Sequence, residues 1–354
     1  MGQIIVKSLE EIKVVIKRKK FLLVHDTAYE LLEIKDFFDG FSHAEFSEFT
    51  PNPLYEQICR GIEIFHKEKC EMIVAVGGGS TIDVAKCIKL YCMMDNSINY
   101  LEQKASDSGI ILIAIPTTAG TGSESSRHAV IYYEGVKQSI SHISIVPDYV
   151  VLKSSVLKTL PSYQKKCTMM DALSQAIESW WSVASTDESI GYSRKAIQLI
   201  KDNWEEYIFE NNDYSAGQIM EAANLSGRAI NITATTAAHA MSYKITSMYK
   251  FPHGHAVAVC LPEVWIYMME HTADCTDIRG AGYLEQVLDQ IANMIDVKYY
   301  KTMFNKMKMQ YPVSMNKNKE LEMLARSVNL VRLKNNPVEL NMDVLRKMYG
   351  RIIQ

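Results

Sequence analysis

The sequence predicts an α/β protein in two parts: a mostly parallel sheet flanked by helices over residues 1–160, then an all-helical part over 161–354. Two observations carry this reading. Short apolar runs alternate with amphipathic stretches through the first half, and from Pro161 onward apolar residues recur at helical spacing with few β-branched runs.

Element by element, FLLVH at Phe21–His25 precedes the amphipathic AYELLEIKDFF, and MIVAVGGG from Met72 precedes STIDVAKCIKLY. GIILIAIP from Gly109 supplies another strand. Strand then helix, repeated, requires parallel pairing with helices on both faces of the sheet. HAVIYY, the Glu134–Gly135 turn and VKQSISHISI read as a β-hairpin added to that sheet. PDYVVL from Pro147 is the last strand before the architecture changes, and DALSQAIESWWSV, YSRKAIQLIKDNW, AGQIMEAANLSGRAI and YLEQVLDQIANMI then read as helices.

At 354 residues, 47% apolar and 22% charged, the chain can bury two sizeable cores. A net charge of -3 gives no long-range field for nucleic acid or an anionic membrane, so neither is an expected partner. Seven cysteines form an odd set without a CxxC pair, which fits reduced, structural thiols. The N-terminal MGQIIVKSLEEIKVVIKRKK lacks the apolar core and cleavage site of a signal peptide, and no stretch holds the roughly 20 apolar residues of a membrane span. A cytoplasmic enzyme is the expectation.

Two loops suggest nucleotide chemistry. Gly77-Gly78-Gly79-Ser80 joins an apolar strand directly to a helix-forming stretch, where backbone N–H groups can approach a pyrophosphate, although GGGS alone also suits a tight βα turn. The second, from Pro116 to Glu124 (PTTAGTGSE), follows another strand and is rich in hydroxyls. Ligands of open α/β sheets bind at such strand ends. Asp26, after the first strand, suits the hydroxyls of an adenosine ribose and would repel a 2′-phosphate; equally, it suits the cap of a helix.

In the second half, Asp171 and Gln175 lie four apart and share a helix face. His239 opens HAMSYK, and His253 follows the helix-breaking Pro252. Two imidazoles and two side-chain oxygens from separate helices would make a mixed N/O divalent-metal site able to polarise a carbonyl, whereas histidines scattered among helices also serve as core or capping residues.

Taken in order, Pro51-Asn52-Pro53, GGGSTIDVAK from Gly77, IPTTAGTGSE from Ile115, Lys137, DALSQAIE from Asp171, HAM at His239 and PHG at Pro252 resemble the iron-containing, or group III, alcohol dehydrogenase family. The resemblance implies a Rossmann-like dinucleotide-binding domain at 1–160 and a helical metal- and substrate-binding domain at 161–354, in the fold shared with dehydroquinate synthase. It further implies an active site in the cleft between the domains and a homodimer. It places Asp26, Asn52, Gly78, Gly79, Ser80, Asp83, Thr117, Thr118, Thr121, Ser126 and Lys137 at NAD(H) or NADP(H), and Asp171, Gln175, His239 and His253 at a divalent metal, Fe2+ or Zn2+.

Two departures stand out: Gln175 replaces the family's usual histidine, a weaker donor for a transition metal, and Tyr243 stands where a second histidine is common. Tyr243 could still relay a proton. DALSQAIESWWS, HAMSYKIT and PHGHAVAVCLPEVW look like the phosphonoacetaldehyde reductase branch, which implies reduction of that aldehyde to 2-hydroxyethylphosphonate and cations in the pocket to meet the phosphonate. Arg228, Lys244 and His128 are the candidates for that role, and surface charges are the plain alternative for the first two. A general short-chain alcohol dehydrogenase, a dehydroquinate synthase-like lyase and a nucleotide-binding paralogue without catalysis remain as competing readings.

Overall fold

A computed structural model describes residues 2–354. The chain divides into two compact units, Met1–Leu160 with Asn211–Met220, and Pro161–Glu210 with Glu221–Gln354.

The first unit contains β1 (Ile4–Val6), α1 (Leu9–Ile16), β2 (Phe21–His25), β3 (His43–Phe46), α2 (Tyr55–Lys67), β4 (Met72–Gly77), α3 (Gly79–Tyr91), β5 (Ile111–Pro116), β6 (His128–Tyr133), β7 (Val136–Ser141) and β8 (Tyr149–Val151). Six strands form one sheet in the order β1-β8-β5-β4-β2-β3, every neighbouring pair parallel. Every residue of β2 and of β4 is buried, so the apolar runs do not alternate: both faces of the sheet are covered.

Two expectations for this unit need correction. The β6–β7 hairpin is not part of the main sheet but forms its own antiparallel ribbon, with Glu134 and Gly135 both at positive φ in the turn. Its β6 packs on α2 and α3 instead. The stretch after β2 is not an α-helix but two short 3-10 turns, Thr27–Leu31 and Lys35–Phe37. Its buried residues Tyr29, Leu32, Ile34 and Phe38 do not fall on one helical stripe, and the tertiary contacts of Tyr29 with His25 and of Phe38 with Phe21 outweigh the helical propensity.

The second unit is built of helices: α4 (Ser162–Trp181), α5 (Asp187–Glu205), α6 (Asp213–Thr233), α7 (Ala237–Tyr249), α8 (His253–Glu270), α9 (Ala281–Met294), α10 (Val297–Lys306), α11 (Lys317–Arg326), α12 (Leu330–Leu333) and α13 (Met342–Ile352). The start of α6 belongs to the first unit. The central α4 is buried along almost all of its second half and packs against α5 and α8, with Trp180, Trp181 and Trp265 among the largest buried side chains. These tryptophans and the Met169–Met170 pair are core. Among the described residues, no helix is long and apolar enough to cross a membrane, and all seven cysteines are free.

Candidate active site

Within the first unit the two loops meet. Gly78 caps α3 without any side-chain bond, leaving the N–H groups of its first turn open. A Cβ built on Gly79 would lie 2.8 Å from Thr121 Oγ1, and one on Gly78 would lie 3.4 Å from Thr118 Cγ2, so absent side chains let the glycine loop lie against the hydroxyl-rich loop. The Thr117 N–H donates to the Gly77 carbonyl at 3.0 Å and fixes the second loop to the first. Gly78, Gly79, Ser80, Thr117, Thr118 and Thr121 are thus gathered at adjoining strand ends, the place where open parallel sheets bind ligands.

Asp83, Ser126 and Asp26, named from the sequence, have partners within the protein here. Asp83 accepts from Ser123 Oγ at 2.6 Å and from the Val130 N–H at 2.9 Å, so both oxygens are held inside the protein. Lys86 donates to Ser123 Oγ at 3.0 Å, to the His128 carbonyl at 2.8 Å and to Ser126 Oγ at 3.4 Å. Burial pushes the Lys86 ammonium down to about 8 against the pull of Asp83 and Glu124. Burial likewise pushes the Asp83 carboxyl up, opposed by Lys86 and the Ser123 hydroxyl. Asp26 caps the turn that follows it, accepting the Ala28 N–H at 2.9 Å, and also accepts the Thr81 hydroxyl at 3.1 Å. Both of its oxygens have partners within the protein, yet each retains acceptor capacity.

Asn52 is exposed at φ 61°, a left-handed conformation that asparagine tolerates. Lys137 sits on β7 opposite Tyr132 of β6, and its charge reaches Asp83. His128 opens β6, half-buried.

The second unit brings together Asp171 from α4, His239 from α7 and His253 from the first position of α8, with one ligand atom of each within 4.8 Å of the others. Local sequence explains each placement. Asp171 and Gln175 are one turn apart on α4; Pro252 caps α8 so that His253 begins it. A Cβ on Gly254 would lie 2.8 Å from Asp171 Cβ and collide with the Cys167 carbonyl, so only glycine lets α8 start this close to α4. His239 Nε2 and Asp171 Oδ1 are 3.3 Å apart, both fully buried and without an aligned hydrogen bond.

Glu178, two turns beyond Asp171 on the same helix, is fully buried and accepts His239 Nδ1 at very short range. Its other oxygen accepts the Thr236 hydroxyl and the Ala238 N–H, each at 2.8 Å. This carboxylate–histidine pair fixes the imidazole so that Nε2 points at Asp171. Burial pushes the His239 imidazole down, but the negative charges of Glu178 and Asp171 and the Glu178 hydrogen bond outweigh it and raise it to about 9. The unmatched atoms Asp171 Oδ1 and His239 Nε2, with His253 beside them, make an environment that favours a cation, and the N/O donor set fits a divalent transition metal. Gln175 is buried in the same helix row, its Oε1 accepting Ser226 Oγ at 3.2 Å.

Tyr243, one turn after His239, stacks on His253 with centroids 5.5 Å apart and planes at 5°. Its hydroxyl accepts from Arg332 of α12 at 2.7 Å. The cations named from the sequence are placed differently. The Arg228 guanidinium lies over the Tyr192 ring of α5, 5.8 Å from its centre, and Lys244 is half-buried on α7, in no ion pair among the described residues.

Sequence reasoning missed Glu178 as a partner of His239 and missed Arg332 altogether. For Glu178 the signal was present in the spacing 171, 175, 178, which repeats along one helix face. Arg332 sits on a four-residue helix far along the chain, and nothing local marks it.

A parallel nucleotide-type sheet joined to a helical unit that gathers an aspartate and two histidines defines a metal-dependent dehydrogenase architecture, and the comparisons narrow it. Residues 3–154 match the iron-containing alcohol dehydrogenase family, and residues 166–348 match the C-terminal part of the Fe-containing alcohol dehydrogenase family. The chain belongs to the iron-containing alcohol dehydrogenase family.

Among its relatives, the phosphonoacetaldehyde reductase of Streptomyces viridochromogenes is 31% identical over 237 residues, covering 63% of this chain and 60% of that protein. The NAD-dependent methanol dehydrogenase of Bacillus methanolicus is 30% identical over 230 residues, 64% of this chain and 60% of its own length. The matched region thus spans less than two thirds of these relatives. The crystal structure of sulfoacetaldehyde reductase from Bifidobacterium kashiwanohense in complex with NAD+ shares the fold at a TM-score of 0.85 and 24% identity, covering 99% of this chain and 96% of that one.

Proposed function

We propose that this protein reduces a small aldehyde to a primary alcohol with NAD(H) or NADP(H), using a divalent ion, Fe2+ or Zn2+, held by Asp171, His239 and His253, with Gln175 as the fourth donor. The observation that carries the reading is the pair of buried, unmatched atoms Asp171 Oδ1 and His239 Nε2 facing each other at 3.3 Å. In a folded core such atoms are nearly always satisfied, and a metal satisfies both at once. When bound, the ion would draw electron density from the aldehyde oxygen and the reduced nicotinamide would supply the hydride.

In the balanced reaction the carbonyl carbon gains a hydride, the C=O π bond breaks and the oxygen takes a proton. Glu178 holds the His239 ring in register through Nδ1. Tyr243 presents a hydroxyl beside His253 and is assigned the proton relay to the product oxygen. The open N–H groups at the start of α3 and the Thr117, Thr118 and Thr121 hydroxyls bind the cofactor pyrophosphate, with Ser80, Asn52 and Lys137 at its margins. Asp83 and Ser126 act one step back, holding the second loop against α3. A carboxylate at Asp26 favours NAD(H) by repelling a 2′-phosphate.

The substrate we favour is phosphonoacetaldehyde, reduced to 2-hydroxyethylphosphonate; resemblance to a phosphonoacetaldehyde reductase supports it. A general short-chain alcohol dehydrogenase is the second reading, supported by a methanol dehydrogenase among the relatives. A cytoplasmic homodimer is the proposed setting, in keeping with seven free cysteines. The test is loss of reduced-nicotinamide absorbance with phosphonoacetaldehyde, propionaldehyde and glycolaldehyde, on Fe(II)-loaded, Zn(II)-loaded and chelated protein. Preference for phosphonoacetaldehyde that disappears on chelation supports the favoured reading. Equal turnover of uncharged aldehydes reduces it to a general dehydrogenase, and no net turnover with any of them overturns it.

A further inference from the structure

We infer that Arg332 is the anion-recognising residue of this site and that the substrate class is a small aldehyde carrying a tetrahedral oxyanion, a phosphonate or a sulfonate; this rests on the reductase reading above. Arg332 is half-buried on α12, with no carboxylate partner among the described residues. Its one hydrogen bond goes from Nη1 to the Tyr243 hydroxyl at 2.7 Å, and its guanidinium carbon lies 5.1 Å from the centre of that ring. Tyr243 in turn lies flat against His253, a member of the ligand cluster. The Tyr243 side chain therefore links a guanidinium to an imidazole of the proposed metal site.

A guanidinium has five N–H donors in a planar fork that matches two oxygens of a tetrahedral anion, and only one of them is committed here. The remaining donors of this half-buried guanidinium are open to an anionic ligand. In this arrangement the substrate carbonyl lies toward His253 while its anion meets Arg332. Neither of the cations picked out in the sequence has this placement: Arg228 is committed to the Tyr192 face, and Lys244 bears a compact ammonium without the fork. Tyr243 positions the arginine through its hydroxyl, which gives the residue a second function beside proton relay.

The experiment compares wild type, Arg332→Gln, Arg332→Lys and Tyr243→Phe in two assays. The first measures kcat/KM for phosphonoacetaldehyde and sulfoacetaldehyde relative to propionaldehyde. The second measures equilibrium binding of 2-hydroxyethylphosphonate and 2-hydroxyethanesulfonate by calorimetry in the presence of NAD+, which needs no turnover. The preference for the anionic aldehyde should fall about 10- to 100-fold in Arg332→Gln, mainly through KM, with the lysine variant intermediate and Tyr243→Phe showing a smaller shift in the same ratio. A residue that only supports folding would lower all aldehydes together and leave that ratio unchanged, which overturns the inference.

Tighter binding of one product over the other identifies the phosphonate or the sulfonate as the source of the anion, and either supports the inference. Wild type that reduces propionaldehyde well but binds neither anion overturns it while leaving the reductase reading intact. Wild type that reduces no aldehyde but binds the anions, weakened in Arg332→Gln, removes the reductase reading and keeps the anion site.

Discussion

Under the two loops, Asp83 and Lys86 lie one turn apart on α3; in the helical unit, Asp171, Glu178 and His239 face each other between α4 and α7. Both are buried charge clusters built from a few residues. In the first, every oxygen of Asp83 and the ammonium of Lys86 have hydrogen-bond partners inside the protein. In the second, Glu178 is fully engaged, whereas Asp171 Oδ1 and His239 Nε2 point at each other without a bond. A completed network stabilises a fold; an incomplete one in a well-packed core marks a place prepared for something the chain does not itself supply. The same criterion separates Asp83, which its motif suggested as a cofactor contact, from Asp171.

The comparison predicts opposite consequences for similar substitutions. Asp83→Ala strands the buried Lys86 ammonium and should cost about 3–5 kcal/mol of stability, measured by denaturant unfolding. A loss under about 1 kcal/mol would mean that the first cluster is not the structural one. Asp171→Asn should instead lower divalent-metal affinity by more than about 100-fold, with a smaller loss of stability in the metal-free protein than Asp83→Ala, because the Glu178–His239 pair stays in place. Next in size, Glu178→Gln should weaken metal affinity about 10- to 100-fold by releasing the His239 ring, with the folded far-ultraviolet spectrum retained. Gly79→Ala would press a methyl group on Thr121 and should weaken NAD(H) binding about tenfold, read by fluorescence titration, without touching metal affinity.

A third charged group, Asp277, sharpens the contrast through pH. Burial raises its carboxyl, but the Arg279 hydrogen bonds and charge outweigh this and hold it below the usual carboxylate range. Oδ2 of Asp277 and Nη2 of Arg279 are 2.6 Å apart, and Arg279 also reaches the Ser182 carbonyl at 2.8 Å, so this network is complete, like the one under the loops. A carboxyl depressed in the folded state contributes stability that is present above its unfolded value of 3.8 and is lost as pH falls through the lower folded value. Wild type should therefore exceed Asp277→Asn by about 1–2 kcal/mol at neutral pH, and the two curves should converge in strong acid. Parallel curves at all pH values would show that the pair contributes through packing alone.

Much of this was legible in the sequence, for identifiable reasons. Uninterrupted apolar runs such as MIVAV and ILIAI announced strands buried on both faces, and the helical spacing of DALSQAIESWW announced α4. Aspartate and two histidines in three ordered motifs pointed to the cluster that the fold assembles. The 3-10 turns after β2 and the detached hairpin escaped because tertiary packing decided them. Arg332 escaped for a stronger reason: its significance lies entirely in a long-range contact with Tyr243, which no local pattern encodes.

The most direct test of the account is a divalent-metal titration of chelated protein by calorimetry, with wild type compared against Asp171→Asn and His239→Ala. The account predicts one tight site per chain that both substitutions remove. Binding of equal strength in all three proteins, or no binding to any, would contradict it.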